Sequence, residues 1–125
     1  MKLRLLNVVI LPEDYPKLVD WYIKALGLEI QEEWTANYHY AELSYDKQLV
    51  VGITPAKEMD MTPPKPRNNA AIMQLVVSDI QAFFKRLEAH GGTLVFGPSF
   101  EESEGFYYGA VNDIEGNQIW VVQGI

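Results

Sequence analysis

The chain predicts an α+β fold: two tandem βαβββ modules whose curved mixed sheets form a cleft, with the helices outside. Three observations predict it. A strand-like run followed by an amphipathic helix occurs twice at an offset of 65 residues, so that Asp79 repeats Asp14 and Gly92 repeats Gly27. Each helix carries a single apolar face, which suits it to covering one side of a sheet. Each is followed by three short apolar stretches with polar breaks, the pattern of antiparallel hairpins.

The elements follow in order. Residues 3–11, LRLLNVVIL, are aliphatic and β-branched and stop at Pro12, which predicts a strand. In DYPKLVDWYIKALG, the side chains of Tyr15, Leu18, Val19, Tyr22, Ile23 and Leu26 share one helical face. Asp14 is placed to cap that helix, Pro16 suits its first turn, and Gly27 suits a left-handed stop. Strands are expected over 28–35, 38–45 and 48–54. Residues 55–69 hold four prolines and no periodicity, and read as a linker between module 1 (1–54) and module 2 (70–125) of one domain spanning 1–125.

The second module opens with a strand at 71–78 and a helix carrying Ile80, Phe83, Phe84 and Leu87 on one face. Asp79 is its cap and Gly91-Gly92 its stop. A strand at 93–97, a loop at 98–105, a strand at 106–112, a turn at 113–117 and a last strand at 118–123 complete it.

Composition narrows the function. The apolar fraction is 48% with 22% charged residues, ordinary for a globular protein. There is no cysteine, which excludes disulfides, thiolate catalysis and sulfur-ligated metals. With only His39 and His90, one chain cannot build a site of three imidazoles. A net charge of −7 argues against nucleic acid, which needs a basic surface, and is compatible with a cationic small molecule. No apolar run is long enough to span a membrane, and no cleavage site follows the short N-terminal run, so a cytoplasmic chain is expected.

Three stretches together resemble a known family. LNVVILPEDYPKLVDWYIKALGLEI is similar to the opening strand, helix and Leu-Gly-Leu stop of the vicinal oxygen chelate superfamily, which includes glyoxalase I, bleomycin-resistance proteins and extradiol dioxygenases. LVVSDIQAFFKRLEAHGG is similar to the family's second opening. NDIEGNQIWVVQ is similar to its closing Asp-Pro-x-Gly-Asn turn and strand, with Ile114 in place of proline. The resemblance covers essentially the whole chain, and the closing turn is its most specific piece.

In metal-dependent members, the resemblance implies one His, Gln or Glu ligand from the first and last strand of each module. Carried over residue by residue, these positions are Asn7, Ile72 and Trp120, with the counterpart of Trp120 in the first module near Val50. A divalent cation takes several N, O or S donors at about 2.0–2.6 Å, which one amide and three hydrocarbon-rich groups do not supply. No metal at the usual place and no cofactor are therefore expected.

Trp120 has two readings: packing, or the wall of a site for a planar ligand. Alternation puts Ile119 and Val121 on one face and Gln118, Trp120 and Val122 on the other. Gln74 and Val9 are expected on the cleft face with Ile72 and Asn7. Tyr40 and Glu42 share a face of their strand, whereas His39 and Glu42 point apart. In SFEESEGFYY, Glu101, Glu102 and Glu104 precede Phe106, Tyr107 and Tyr108 and read either as a solvated loop or as a lid over a cationic group. The expected ligand-binding set is Asn7, Val9, Tyr40, Glu42, Val50, Ile72, Gln74, Tyr107 and Trp120, with no catalytic residue.

Two functions remain open, beside a structural relic whose cleft is filled by its own side chains. One is a metal-free protein of the bleomycin-resistance type that sequesters a planar or cationic small molecule. The other is a glyoxalase-, dioxygenase- or isomerase-like enzyme with displaced metal ligands, using Asn7, Glu42 and Gln74. The resemblance also implies a homodimer.

Overall fold

The structure, a computed structural model, describes residues 1–61 and 71–125. The chain forms two units, Met1–Pro63 and Pro64–Ile125. The first contains β1 (Val8–Ile10), α1 (Tyr15–Leu26), β2 (Glu29–Trp34), β3 (Tyr40–Tyr45) and β4 (Gln48–Ile53). The second contains β5 (Met73–Val76), α2 (Ile80–Ala89), β6 (Thr93–Glu101), β7 (Phe106–Asn112) and β8 (Gln118–Gln123). The strand orders are β1-β4-β3-β2 and β5-β8-β7-β6. In each unit the first strand runs parallel to the last, and the other pairs are antiparallel. The repeated βαβββ topology is thus as expected: each helix carries the chain from the first strand at one edge to the second at the other, and two hairpins return it beside the first.

The helix ends form where the capping residues stand. The Asp14 carboxylate accepts from the Lys17 amide at 3.2 Å, and that of Asp79 from the Ala82 amide at 3.0 Å. Gly27 ends α1 in the left-handed conformation, at φ 72°. In unit 1, Leu18, Tyr22 and Ala25 of α1 and Ala41, Leu43, Val51 and Ile53 of the sheet are fully buried. In unit 2, Ile80, Phe84 and Leu87 of α2 and Val111, Ile119 and Val121 are buried in the same way. The Phe84 ring lies so close to β7 that a Cβ at Gly109 would meet it at 2.8 Å.

The closing turn is built around one buried carboxylate. Asp113 Oδ1 accepts from the amides of Glu115 (2.8 Å) and Asn117 (2.9 Å), and Oδ2 accepts from Asn117 Nδ2 at 2.9 Å. The Asp113 amide in turn donates to the Asn117 carbonyl at 2.9 Å, and Gly116 takes φ 86°. Asp and Asn are needed as turn-forming side chains and Gly for its positive φ; proline at position 114 is not.

Three boundaries and one helix face differ from the sequence expectation. The first strand covers only Val8–Ile10 of the predicted 3–11, and Leu3 and Leu5 are exposed; an aliphatic run is a strand only where a neighbour pairs with it, and pairing with β4 begins at Val8. In α1 Trp21 is buried, while Ile23 is only half-buried. The strand predicted at 93–97 continues to Glu101, because pairing shifts between Phe96 and Ser99 and resumes beyond Pro98. The first part of the predicted linker folds on unit 1: the Ala56 amide donates to the Pro12 carbonyl at 3.0 Å, and Lys57–Met59 form a single 3-10 turn. The rest of the linker, residues 62–69, lies outside the described residues.

Candidate functional site

Each sheet has one face covered by its helix and one that the helix does not cover. In unit 2 the register defines the open face. Trp120 lies beside Gln74 on β5 and Ala110 on β7, and Tyr108 lies beside Val122. Trp120 is 40% exposed, whereas its neighbours Ile119 and Val121 are buried against the helix side. The predicted alternation along this strand therefore holds. The Trp120 ring meets Phe96 edge-on with centroids 6.2 Å apart, and Phe96 stands 6.3 Å from Tyr108. Tyr108 stands 6.1 Å from Phe106. The indole Nε1–H donates to Gln118 Oε1 at 2.6 Å, so the polar edge of Trp120 is satisfied within its own strand. What it leaves accessible is ring surface in an aromatic row. Gln74 is exposed on this face, so it is not the buried amide its apolar neighbours imply.

The open face of unit 1 has a different chemistry. Val9 and Glu42 both pair with Gly52. A Cβ at Gly52 would fall 2.2 Å from the Tyr40 hydroxyl and 3.0 Å from Asn7 Nδ2, so both side chains lean over the space that glycine leaves. Asn7 Nδ2 is buried and has no hydrogen-bond partner. Glu42 also stands opposite Glu32 on β2, and Trp34 packs edge-on against Tyr40 at 5.7 Å. Two like charges facing each other across strands disfavour the pair unless a cation joins them.

Register also corrects the repeat alignment. Val9 pairs with Gly52 and Gln74 with Trp120, so the counterpart of Trp120 is Gly52 rather than Val50. Val50 lies two residues away, unpaired where the β3–β4 register shifts between Leu43 and Ser44. The positions that the resemblance implies for metal ligands then become Asn7, Gly52, Ile72 and Trp120. That set offers one amide, one position with no side chain, one hydrocarbon and one indole, which does not fit a divalent cation. Among the described residues, no group of three or more His, Asp or Glu side chains is placed to hold a metal ion.

The structure brings Asn7, Val9, Tyr40 and Glu42 to one face of unit 1, leaves Val50 in the bulge of β4, and brings Gln74 and Trp120 to one face of unit 2, with Ile72 just before β5. It does not bring Tyr107 there. Tyr107 pairs with Gln123, and Gly109 with Val121, which places Tyr107 on the helix side of β7. It packs on Phe100 at 4.8 Å instead. Nor does the Glu101 carboxylate reach out over that face. Glu101 folds back on its own hairpin turn, accepting from Ser103 Oγ at 2.7 Å and the Glu104 amide at 2.6 Å. These bonds, the serine's foremost, hold its carboxyl below the usual range.

Sequence reasoning missed the Phe96 contact and the partner of His39. The half-exposed His39 ring bonds Glu58, with Nδ1 2.6 Å from Oε2, and its backbone amide donates to Oε1 at 2.8 Å. The Glu58 position lay inside the apparent linker, so no periodicity signalled it.

A model of the glyoxalase/bleomycin resistance protein/dioxygenase superfamily matches residues 4–121. The chain belongs to that superfamily. Solved structures share the fold. TnmS3, described as an antibiotic binding protein from Streptomyces sp. CB03234, is 17% identical, with a TM-score of 0.77 over 99% of this chain and 98% of that one. A superfamily member from Sphaerobacter thermophilus is 20% identical, with a TM-score of 0.77 over 98% of each chain. TioX from Micromonospora sp. ML1 is also 20% identical, with a TM-score of 0.75 over 96% of this chain and 98% of that one. Comparison with curated protein sequences finds no match. Among the described residues of this superfamily member, no helix is long and apolar enough to cross a membrane.

Proposed function

We propose that this superfamily member binds and sequesters a planar or cationic small molecule on its open sheet faces without using a metal. The observation that carries the reading is Trp120. Its ring is accessible, edge-supported by Phe96, and has its N–H already satisfied by Gln118. Such a ring can stack on a planar ligand without leaving a buried donor unpaired. The net charge of −7 favours positive charge on the ligand. TnmS3, a protein of the same fold described as antibiotic binding, is consistent with this reading.

The test is fluorescence titration with a panel of planar aromatic cations, in a Trp34→Phe background that leaves only Trp21 and Trp120. A saturable response that disappears in Trp120→Ala is expected. No saturable response from any member would overturn the reading.

The convergence of Asn7, Tyr40 and Glu42 over Gly52 favours a second reading, an enzyme with displaced metal ligands. Metal analysis of protein purified without chelator separates the two. A stoichiometric divalent ion lost in Glu42→Gln or Asn7→Ala supports the enzyme. The resemblance also implies a homodimer, which light scattering of the purified chain tests.

A further inference from the structure

On the helix side of unit 1 lies a second concavity, of about 380 Å³, between α1 and the β2–β3 connection. Its walls include Tyr15, Pro16, Val19, Ile23, Glu33 and His39. Glu33 pairs with the core residue Ala41, so it points to the side of the sheet opposite the one that Tyr40 and Glu42 share. This concavity is therefore separate from the open face discussed above.

Its polar groups are fixed before any ligand arrives. The buried Tyr15 donates its hydroxyl proton to Glu33 Oε2 at 3.1 Å. Burial first, then the hydrogen bond to Glu33 and its charge, push the phenol well above its ordinary range, so it remains a donor. The Tyr15 and His39 rings lie 5.7 Å apart. Glu58 occupies Nδ1 of His39, and Thr54 Oγ1 donates to the His39 carbonyl at 2.7 Å. Nε2 is thus the imidazole nitrogen left for a ligand.

We propose that this concavity is a binding site for a small primary ammonium or guanidinium compound with a short apolar body. Glu33 keeps acceptor capacity beyond the bond from Tyr15, and His39 Nε2 is a second acceptor in the neutral tautomer that donates Nδ1–H to Glu58. The Tyr15 ring supplies an aromatic face for a cation. Pro16, Val19 and Ile23 supply the apolar wall for the body. Asp20, which also lines it, pairs with Lys24 at 2.9 Å, and among the described residues no lysine or arginine lines the concavity. The two carboxylates of the lining, Asp20 and Glu33, disfavour an anion.

The test is a nuclear magnetic resonance titration of the ¹⁵N-labelled full chain with n-butylammonium chloride. Sodium butyrate and tetramethylammonium chloride serve as controls. Saturable shifts at the amides of Tyr15, Glu33 and His39 are expected for butylammonium. Butyrate should give none, and tetramethylammonium, which has no N–H to donate, should bind at least several-fold more weakly. Glu33→Gln should raise Kd about tenfold, and Ile23→Lys, which puts a fixed cation at the half-exposed rim, should abolish binding. Unsaturable shifts scattered over acidic residues, equal binding of butyrate, or unchanged binding in both variants would overturn the proposal. Trp120 fluorescence should not respond to butylammonium, so this site and the open-face reading fail or succeed separately.

Discussion

The two open sheet faces share a topology and differ in almost every side chain. At equivalent register, unit 1 has Val9 beside Gly52 and unit 2 has Gln74 beside Trp120. The glycine leaves room for the Tyr40 hydroxyl and the Asn7 amide, and the tryptophan fills that room with a ring. The helix-facing sides are alike by contrast: Val51 and Ile53 in one unit correspond to Ile119 and Val121 in the other, all buried. Core positions of a repeat are held to apolar residues by burial, whereas uncovered positions are free to take different chemistries. Unit 1 has become acidic and polar, unit 2 aromatic.

The largest effect expected is at the closing turn. Unit 2 turns at 113–117 around the buried Asp113, whereas unit 1 uses the two residues Asp46 and Lys47, at φ 49° and 66°. Asp113→Ala removes three hydrogen bonds to a carboxylate, and urea unfolding should show a loss of about 3 kcal/mol. A loss below about 1 kcal/mol would mean that the strands, not the carboxylate, set the turn.

Next comes the face itself. Trp120→Ala should weaken binding of a planar cation about tenfold or more, equivalent to ~1.4 kcal/mol. Tyr107→Ala should leave binding unchanged, because its ring is on the other side of β7. Equal loss in both variants would collapse the distinction between the two sides of the unit 2 sheet.

Gly52→Ala probes the equivalent place in unit 1. The added methyl would displace the Tyr40 ring and cost about 1 kcal/mol in chemical denaturation. The penalty should vanish in a Tyr40→Ala background, and its persistence there would point to the backbone instead. The smallest effect is Lys47→Gly. It relieves a side chain at positive φ in a tight hairpin and should stabilise the chain by about 0.5–1 kcal/mol in the same assay.

Much of this architecture was legible because its determinants are local. Asp14 and Asp79 cap the helices they precede, and Gly27 stops α1, through contacts within a few residues. The alternation that turns Trp120 away from Ile119 and Val121 is a property of any strand. The site was legible only as faces. The shift of two residues between Val50 and Gly52 could not be read, because register depends on the partner strand. Tyr107 was grouped with Trp120 because both are aromatic and near the closing strand; only the pairing with Gln123 shows that it points the other way.

By itself, then, the sequence determined the helix caps, the βαβββ repeat and the Asp113 turn. Those follow from residue types and short spacings. Tertiary structure alone decided that Gly52 answers Trp120, that β6 continues beyond Pro98, and that His39 bonds Glu58 nineteen residues away. Each of these depends on which distant backbone or side chain meets another, and long-range hydrogen bonding and packing leave no periodic trace along the chain.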